Sequence, residues 1–312
     1  MSTVRRYLFA FFSTCVALAV GIALGSGPLQ GTATADRPAS GPDTAGLRER
    51  VVSLLRGQAF GTSLTQAAST DLLARRLDAK SVTVVVLPGV SDDIVTGMHD
   101  ALTQAGGVVS VTVRVAPRLV DPAQKTFAAS VADSSSQNLP DLSATPQSDP
   151  YRQLGALIAR AYAGRGEDLG LDDEAIEIGS ELEGAKLLTV DEQPHRRGSL
   201  VVVLGTGDHA SDDVTAAEHL IEVQLLSSLA HGADAVLAAT APAGTAPGGL
   251  LAAVDSTGPR PTALSTLNVT DGPAAQVAAV YALAAAAAGT TGAYGVEGTA
   301  VTLPPGLAVP GR

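Results

Sequence analysis

Histidine and aspartate residues gather around one glycine turn of the sequence, and both residue types bind metal ions. His209, Asp212 and His219 lie within eleven residues of one another, and imidazole nitrogens and carboxylate oxygens are ligands for zinc and other divalent ions. Their spacing does not match the i, i+4 histidine pair of zinc proteases. His231 follows His219 by twelve residues, so the two rings would not share a helix face. The three residues are weak metal candidates, and solvated turn and helix positions explain them more simply.

Soft metal ligands are scarce in this sequence. Copper(I) prefers thiolate and thioether sulfur, but the only cysteine, Cys15, lies in an apolar N-terminal segment. Met98, beside His99, is the only methionine after the initiator. The sequence therefore offers little support for a copper(I) site of its own, and no intrachain disulfide can form.

Two glycines, Gly205 and Gly207, lie between a predicted strand and a predicted helix. In this context a glycine turn can present backbone N–H groups to a phosphate. The pattern stops there, because Ala210 stands where a G-x-G-x-x-G fingerprint has its third glycine, and a tight turn accounts for both glycines more simply. The sequence also lacks the G-x-S-x-G turn of serine hydrolases. It therefore predicts no catalytic and no cofactor-binding residues, and hence no enzyme.

Short β-branched segments alternate with helical segments in two parts of the chain. Residues 82–115 have the pattern of a parallel strand pair joined by a crossover helix. The alternation resumes at Ser199 and supplies three further strands, each followed by a helix. The predicted strands are 82–87, 108–115, 200–204, 235–239 and 264–269, and the predicted helices are 91–104, 213–229, 249–254 and 273–288. This order predicts an α/β fold with a doubly wound, mostly parallel, Rossmann-like sheet.

The segment between these two parts interrupts the alternation. Residues 121–150 are rich in serine, aspartate and proline, which predicts an inserted loop, and helices are expected at 151–163 and 171–184. The α/β domain at 81–312 would therefore carry a polar and helical insertion at about 121–198. Its last residues, 292–312, are rich in glycine and proline and are expected to form an irregular surface strap.

The N-terminal segment decides on which side of a membrane the rest of the chain lies. Residues 7–24 contain no charge, and a helix of that length spans about 27 Å, close to the hydrocarbon thickness of a bilayer. Arg5 and Arg6 precede it, which favours residues 1–6 in the cytoplasm and the rest outside. A cleaved signal peptide is the alternative, since residues 33–35 read A-T-A. Both interpretations export the body, and the first makes it a single-pass membrane protein.

A linker and a long helical segment follow. Residues 25–46 are rich in glycine, proline, serine and threonine, as flexible linkers are. Residues 47–80 repeat apolar side chains at helical spacing, beginning with Leu47, Val51 and Leu54. The spacing suits a helix on the face of the domain, and it also suits a short seam between copies of the chain. A homo-oligomer therefore stays open as an alternative.

The composition excludes several kinds of partner. The formal net charge of −11 argues against nucleic acid, because phosphate contacts need clusters of lysine and arginine. Apolar residues make up 46% of the chain, which is enough for one sizeable core. The chain has no tryptophan and only 3% aromatic residues, so aliphatic side chains must form that core.

Three segments together resemble one known family. They are CVALAVGIALGSGPL at 15–29, the stretch from DLLARRLDAK to VRVAPRLVDP at 71–122, and the stretch from LSTLNVTDGP to VTLPPG at 264–306. In this order and spacing they are similar to the MctB family of copper transport proteins from mycobacteria and other actinobacteria. Leu267 stands where the family has an aspartate, whereas the following asparagine is retained as Asn268. We expect Asn268 to order the turn from the last strand into the last helix.

The resemblance implies a function in copper homeostasis, with copper as the transported ion and efflux through a pore-forming outer-membrane protein. Outer-membrane pores of the usual kind need eight or more strands of about ten residues that alternate apolar and polar side chains. The strands predicted here are short, uniformly apolar and interleaved with helices, so a pore would have to be built by oligomerisation or by something other than a pore of the usual kind. The alternatives are a membrane-anchored envelope scaffold or ligand-binding α/β module without its own pore, and a degenerate nucleotide-binding enzyme.

Overall fold

A computed structural model describes residues 44–136, 149–208, 210, 212–297 and 300–307. The chain divides into two compact units, residues 1–55 and 56–312. The described part of the first unit is the beginning of helix α1 (Thr44–Leu73), so this helix starts slightly before the predicted residue 47. The predicted anchor at 7–24 and the linker up to residue 43 lie outside the described residues. None of the described helices is long and apolar enough to cross a bilayer.

Strands and helices alternate through the second unit. The strands are β1 (Ser81–Val86), β2 (Val108–Val115), β3 (Leu188–Val190), β4 (Leu200–Leu204), β5 (Ala235–Ala239), β6 (Leu264–Leu267), β7 (Ala293–Glu297) and β8 (Ala300–Thr302). The helices after α1 are α2 (Asp92–Gln104), α3 (Pro117–Val120), α4 (Lys125–Ser136), α5 (Pro150–Tyr162), α6 (Asp173–Gly184), α7 (Asp213–Gly232), α8 (Leu250–Ser256) and α9 (Gly272–Ala287). Short 3-10 turns lie at Pro122–Gln124 and Pro242–Thr245.

One sheet contains these strands in the order β3-β2-β1-β4-β5-β6-β7-β8. Neighbouring strands from β2 to β7 are parallel, and the edge strands β3 and β8 are antiparallel to their neighbours. Every residue of β1, β4, β5 and β6 is buried, as expected of a parallel sheet that is covered on both faces. The prediction of an α/β fold with a mostly parallel sheet is confirmed.

Helices cover both faces of this sheet. On one face, α5 and α7 share a core with Val85 and Val201. On the other face, α2 and α9 share a core with Val84 and Val202. Successive strand residues point to opposite faces, so each central strand contributes to both cores. This is the doubly wound arrangement that the alternation of strands and helices predicts.

The segment predicted as a polar loop is partly helical. Residues 122–136 form a 3-10 turn followed by α4, so the loop prediction is wrong for this part. Asp121 accepts a hydrogen bond from the backbone N–H of Ala123 at 2.9 Å, which satisfies one donor of the first turn. Ala128 and Ala132 lie one turn apart and are buried. The burial of these alanines thus stabilises a helix, although its serine-rich sequence is typical of a loop. Residues 137–148 of the predicted loop lie outside the described residues.

The two helices predicted after that loop are part of the main core. Helices α5 and α6 lie close to the predicted ranges 151–163 and 171–184. Leu154, Leu157 and Leu182 are fully buried, and all three belong to the core that includes α7 and the sheet. The region predicted as an insertion therefore completes one face of the sheet, and β3 extends the edge of the sheet beside β2.

The proline-rich tail is more regular than predicted. Residues 293–297 and 300–302 form the antiparallel β7–β8 pair, where an irregular strap was expected. Strand β7 pairs with β6 through Thr266 with Ala293 and Leu267 with Tyr294. Its sequence, AYGVE, is mostly exposed or half-buried. It therefore lacks the apolar run by which the central strands are recognised.

Helices α5 and α7 approach each other closely because glycine lies at two contact points. A Cβ on Gly155 would lie 2.8 Å from the Cβ of Ser228 and 3.1 Å from the Cα of Leu225. A Cβ on Gly232 would lie 2.6 Å from the Cβ of Ala159. Real side chains do not approach so closely, so these two helices can pack at this separation only with glycine at both positions.

We expect Gly155→Ala to lower the free energy of unfolding by about 1–3 kcal/mol, because the added methyl group would force α5 and α7 apart. Alanine has a higher helix propensity than glycine, so without the close contact between α5 and α7 the substitution would be expected to raise the free energy of unfolding. Gly57→Ala in α1 is the matched control, since a Cβ there has nothing within 4 Å and should not reduce stability. Urea unfolding followed by circular dichroism measures both variants. Wild-type stability in Gly155→Ala would contradict the close packing.

Candidate functional site

The carboxyl edge of the sheet has a switch point between β1 and β4. Strand β1 leads into α2 on one face, and β4 leads into α7 on the other. In open α/β sheets, ligands bind outside the carboxyl ends of the strands at such a point. The loops that border it begin at residues 87 and 205. The second contains Gly205 and Gly207 and leads to Asp212 at the start of α7, the helix that carries His219.

The glycines at this edge allow neighbouring loops to pack closely. Gly89 has a φ of +87°, and a Cβ there would lie 2.9 Å from Cγ2 of Thr206. A Cβ on Gly207 would lie 2.5 Å from the Cβ of Ala241, in the loop after β5. The first turn of α7 also carries Asp213, whose charge disfavours a phosphate at that helix end. The geometry thus accounts for residues 205–207 as a tight turn and gives nucleotide binding no support.

The three metal candidates are placed differently from one another. His209 lies outside the described residues. Asp212 is the N-cap of α7, where its Oδ1 accepts a hydrogen bond from the backbone N–H of Thr215 at 2.9 Å. This hydrogen bond lowers the pKa of Asp212. His219 is buried and is not the solvated residue expected from the sequence. Within the part of the chain that the structure describes, no three His, Cys, Asp or Glu side chains are grouped to hold one ion.

His219 connects two loops at the carboxyl edge. Its Nδ1 donates a hydrogen bond to the carbonyl oxygen of Gly248 at 2.8 Å, and the same oxygen accepts one from the backbone N–H of Ala210 at 2.9 Å. The imidazole therefore joins α7 to the loop before α8. This bond places a proton on Nδ1 and leaves Nε2 as the nitrogen available to a ligand.

The other histidine and sulfur candidates lie elsewhere. Met98 and His99 are on α2, on the opposite face of the sheet from α7. The Met98 side chain is buried in the core, and Nε2 of His99 lies 2.8 Å from Oγ1 of Thr112. Burial lowers the pKa of His99. His231 is exposed, and its Nδ1 donates to the carbonyl oxygen of Ser227.

Glu222 on α7 is a buried glutamate that was not predicted from the sequence. Glu222 is only 8% exposed. It borders a cavity of about 10 Å³, which is about the volume that one water molecule needs. The other walls are apolar and come from the ends of β1, β2 and β4 and from helices α5 and α7. Among the wall residues are Val85, Val115, Val203, Ile158 and Leu226.

Burial raises the pKa of Glu222 to about 8, and the charge of Glu218 adds to this effect. A carboxyl group in apolar surroundings keeps its proton because its charged form would lose hydration. Glu222 is therefore largely neutral at pH 7. A neutral carboxyl group can donate a proton or a hydrogen bond, which a surface glutamate at this pH cannot do.

Helical spacing contains the signal by which Glu222 could have been found. Leu225, Leu226 and Leu229 follow it by three, four and seven residues, so they share its face of α7. One acidic residue on an otherwise apolar helix face indicates a buried carboxyl group. The sequence-based prediction of site residues on α7 rested on its histidines and left this apolar face out.

Asn268 fixes strand β7 and does not cap α9. Its Nδ2 donates to the carbonyl oxygen of Val296 at 2.6 Å, and its Oδ1 accepts from the N–H of Val296 at 2.7 Å. The amide side chain thus makes the two bonds that a neighbouring strand would make. Gly295 has a φ of +121°, and a Cβ there would overlap with Oδ1 of Asn268. Asp271, at the N-cap position of α9, makes no capping side-chain bond.

One family model matches the chain over nearly its whole length. It is described as "Copper transport outer membrane protein, MctB" and matches residues 1–305. The chain belongs to the MctB family. No curated protein matches the chain. The resemblance drawn from three separate segments of the sequence is therefore confirmed.

Membership of the MctB family supports a role in copper transport or homeostasis in general. The description of the MctB model names transport and an outer membrane, and it names no reaction. Asn268 has a structural role here because it holds β7 against the end of β6. Leu267 is buried at the end of β6, where an apolar side chain packs without loss of hydration.

The neutral Glu222 side chain predicts lower stability at alkaline pH. The unfolded chain would titrate this group near 4.5, and the folded chain titrates it near 8. The folded state therefore holds more protons between these two values. Protonated Glu222 contributes its full stabilisation below pH 4.5. As pH rises from there through 8, this contribution to the free energy of unfolding is lost, by up to about 5 kcal/mol.

We expect Glu222→Gln to remove this pH dependence, because glutamine does not titrate. Urea unfolding at pH 5, 7 and 9 should show the stability of the variant rising relative to that of the wild type with each step. Glu177→Gln, on the exposed side of α6, is the matched control and should keep the wild-type slope. If Glu222→Gln also kept that slope, Glu222 would be ionised in the folded protein throughout this range.

Proposed function

We propose that this MctB-family chain acts in copper homeostasis as a membrane-anchored envelope protein through which copper leaves the cell. The observation that carries the proposal is the family match, which begins at residue 1 and so includes the predicted anchor at 7–24. With Arg5 and Arg6 before the anchor, residues 1–6 would lie in the cytoplasm and the α/β body outside it. In this proposal the chain catalyses no reaction. The outer membrane named for the family is the proposed destination of the copper pathway.

Copper is proposed as a transported ion and not as a resident cofactor. Two of the metal candidates already bond within the protein, since Asp212 caps α7 and Nδ1 of His219 donates to the carbonyl oxygen of Gly248. A transported ion needs sites weak enough to release it. We therefore propose that His209, Asp212 and His219 contribute at most a transient contact with the ion, through Nε2 in the case of His219.

Several copies of the chain are proposed to associate through α1. In the first unit, Val51, Leu54 and Leu55 are 54%, 72% and 58% exposed. Farther along α1, Phe60 and Leu64 are 71% and 58% exposed. Large apolar side chains are seldom left to solvent in such numbers on one element. Val51, Leu54 and Leu55 are spaced by three and four residues and share one face of α1, which suits packing against a second helix. Phe60 and Leu64 form a second pair four residues apart, and another copy of α1 supplies the same apolar surface.

The copper proposal predicts that cells without this protein accumulate copper. Intracellular copper, measured by mass spectrometry after growth with added copper, should rise several-fold in a deletion strain. The full-length chain should restore the wild-type level. A chain without residues 7–24 should not, because its body would stay in the cytoplasm. Wild-type copper in the deletion strain would overturn the proposal.

The association proposal predicts that charges on α1 separate the copies. We expect Leu54→Glu combined with Leu55→Glu to give monomers where the wild type is oligomeric, because the glutamates would lie in the apolar contact. Light scattering after size-exclusion chromatography measures the mass, and circular dichroism checks the fold. Ser53→Glu, an exposed change on the other side of the same helix turn, should leave the mass of the oligomer unchanged. A monomeric wild type would remove this contact and leave the copper prediction standing.

A membrane-anchored scaffold or ligand-binding module without its own pore is the second candidate. It is favoured by the burial of every residue in β1, β4, β5 and β6, because such strands have no face left to line a channel. Planar bilayers separate the two candidates. A pore predicts conductance from purified full-length chain, whereas a scaffold predicts none while its deletion still changes cellular copper.

A further inference from the structure

A pocket of about 160 Å³ lies between α7, the end of α8 and the beginning of β6. It is at the amino end of the parallel strands, on the edge of the sheet opposite to the switch point, because Leu264 is the first residue of β6. An engineered protein cavity of about 150 Å³ holds a benzene molecule. The pocket is therefore large enough for a single ring or a short alkyl chain.

The floor of this pocket is part of the core. Val223 and Leu226 of α7 line it together with Val254 of α8 and Leu264 of β6. All four side chains are at most 7% exposed, so they cannot move aside or reach solvent without loss of packing. An occupant would meet a fixed apolar surface at this end.

The rim of the pocket is polar and carries one positive charge. Arg152, at the start of α5, lines it together with Gln224, Ser227 and Thr257. The pocket has no acidic lining residue, although the whole chain has a net charge of −11. Within the described residues, the Arg152 guanidinium forms no ion pair. A guanidinium beside amide and hydroxyl groups suits a carboxylate, which it can bind through two parallel hydrogen bonds.

The loop that closes one side of the pocket is held in shape by its own bonds. The N–H of Thr257 donates to the carbonyl oxygen of Ala253 at 3.1 Å, and the N–H of Leu264 donates to that of Pro261 at 3.0 Å. Arg260 forms an ion pair with Asp255. A pocket whose wall is ordered before binding avoids the entropy cost of ordering it around a ligand.

We propose that this pocket binds a small organic carboxylate. The ring or short alkyl chain lies on the apolar floor, and the carboxylate pairs with Arg152, with Gln224 and Ser227 in hydrogen-bonding positions at the rim. No acidic group of the lining opposes the negative charge. A neutral molecule of the same shape would gain only the apolar contact, and a cation would be repelled by the guanidinium. The inference does not depend on copper transport by the chain.

Benzoate tests the proposal, with benzyl alcohol as its neutral counterpart. Calorimetric titration of the full-length chain in detergent, with empty micelles as the blank, should show benzoate binding at least about tenfold more tightly than benzyl alcohol. Arg152→Gln should reduce benzoate affinity by about tenfold or more and leave benzyl alcohol binding unchanged. Arg50→Gln, an exposed change in α1, is the matched control and should bind both molecules as the wild type does.

A second variant separates the pocket from other binding surfaces. Thr257→Trp places a large side chain at the exposed rim, leaves the buried floor intact and should abolish the binding of both probes. Three results would each overturn the proposal: no benzoate binding at about 10 mM, equal affinity for the two probes, or full benzoate affinity in Arg152→Gln. Copper levels in cells that carry Arg152→Gln should stay at the wild-type value, so failure here would leave the copper proposal untouched.

Discussion

Burial of both faces of the parallel sheet is the constraint on which the rest of this structure depends. Because the central strands expose no residue, helices must cover each face, and the glycines at 155 and 232 let α5 and α7 pack closely enough to do so. Even a hydroxyl in β1 is satisfied internally, since Oγ1 of Thr83 donates to the carbonyl oxygen of Tyr162 at 2.7 Å. Polar chemistry is consequently confined to the two ends of the strands and to the outer surface of the helices.

Glu222 is an exception, because its polar carboxyl group lies in the apolar core. A carboxyl group among valine and leucine side chains is stable there only as the neutral acid, so its burial makes the stability of the domain depend on pH. An aliphatic residue of similar size would fill the same volume without that dependence.

The sequence predicts the central sheet well because β1, β4 and β5 consist almost wholly of apolar residues, as in SVTVVV and LVVVL. Strand β7 could not be found in this way, since its order depends on a distant amide, that of Asn268, which bonds to Val296. Helix α4 was not predicted because its sequence is rich in serine, and local composition does not reveal which side of a helix meets the core. Among the site residues, the capping position of Asp212 follows from local sequence, whereas the burial of His219 depends on the loop at Gly248, 29 residues away.

The two ends of the sheet differ in what they leave free, and this difference bears on how an MctB-family chain could handle copper. At the carboxyl edge, loop packing uses the glycines, Asp212 caps α7 and Nδ1 of His219 bonds to the carbonyl oxygen of Gly248. At the amino edge, the pocket beside Arg152 repels cations. Using Asp212 or Nδ1 of His219 as a lasting copper ligand would break the bonds that hold these loops. Because every residue of β1, β4, β5 and β6 is buried, the sheet has no free face for an ion, and in the proposed oligomer the path of copper would run over helices and loops.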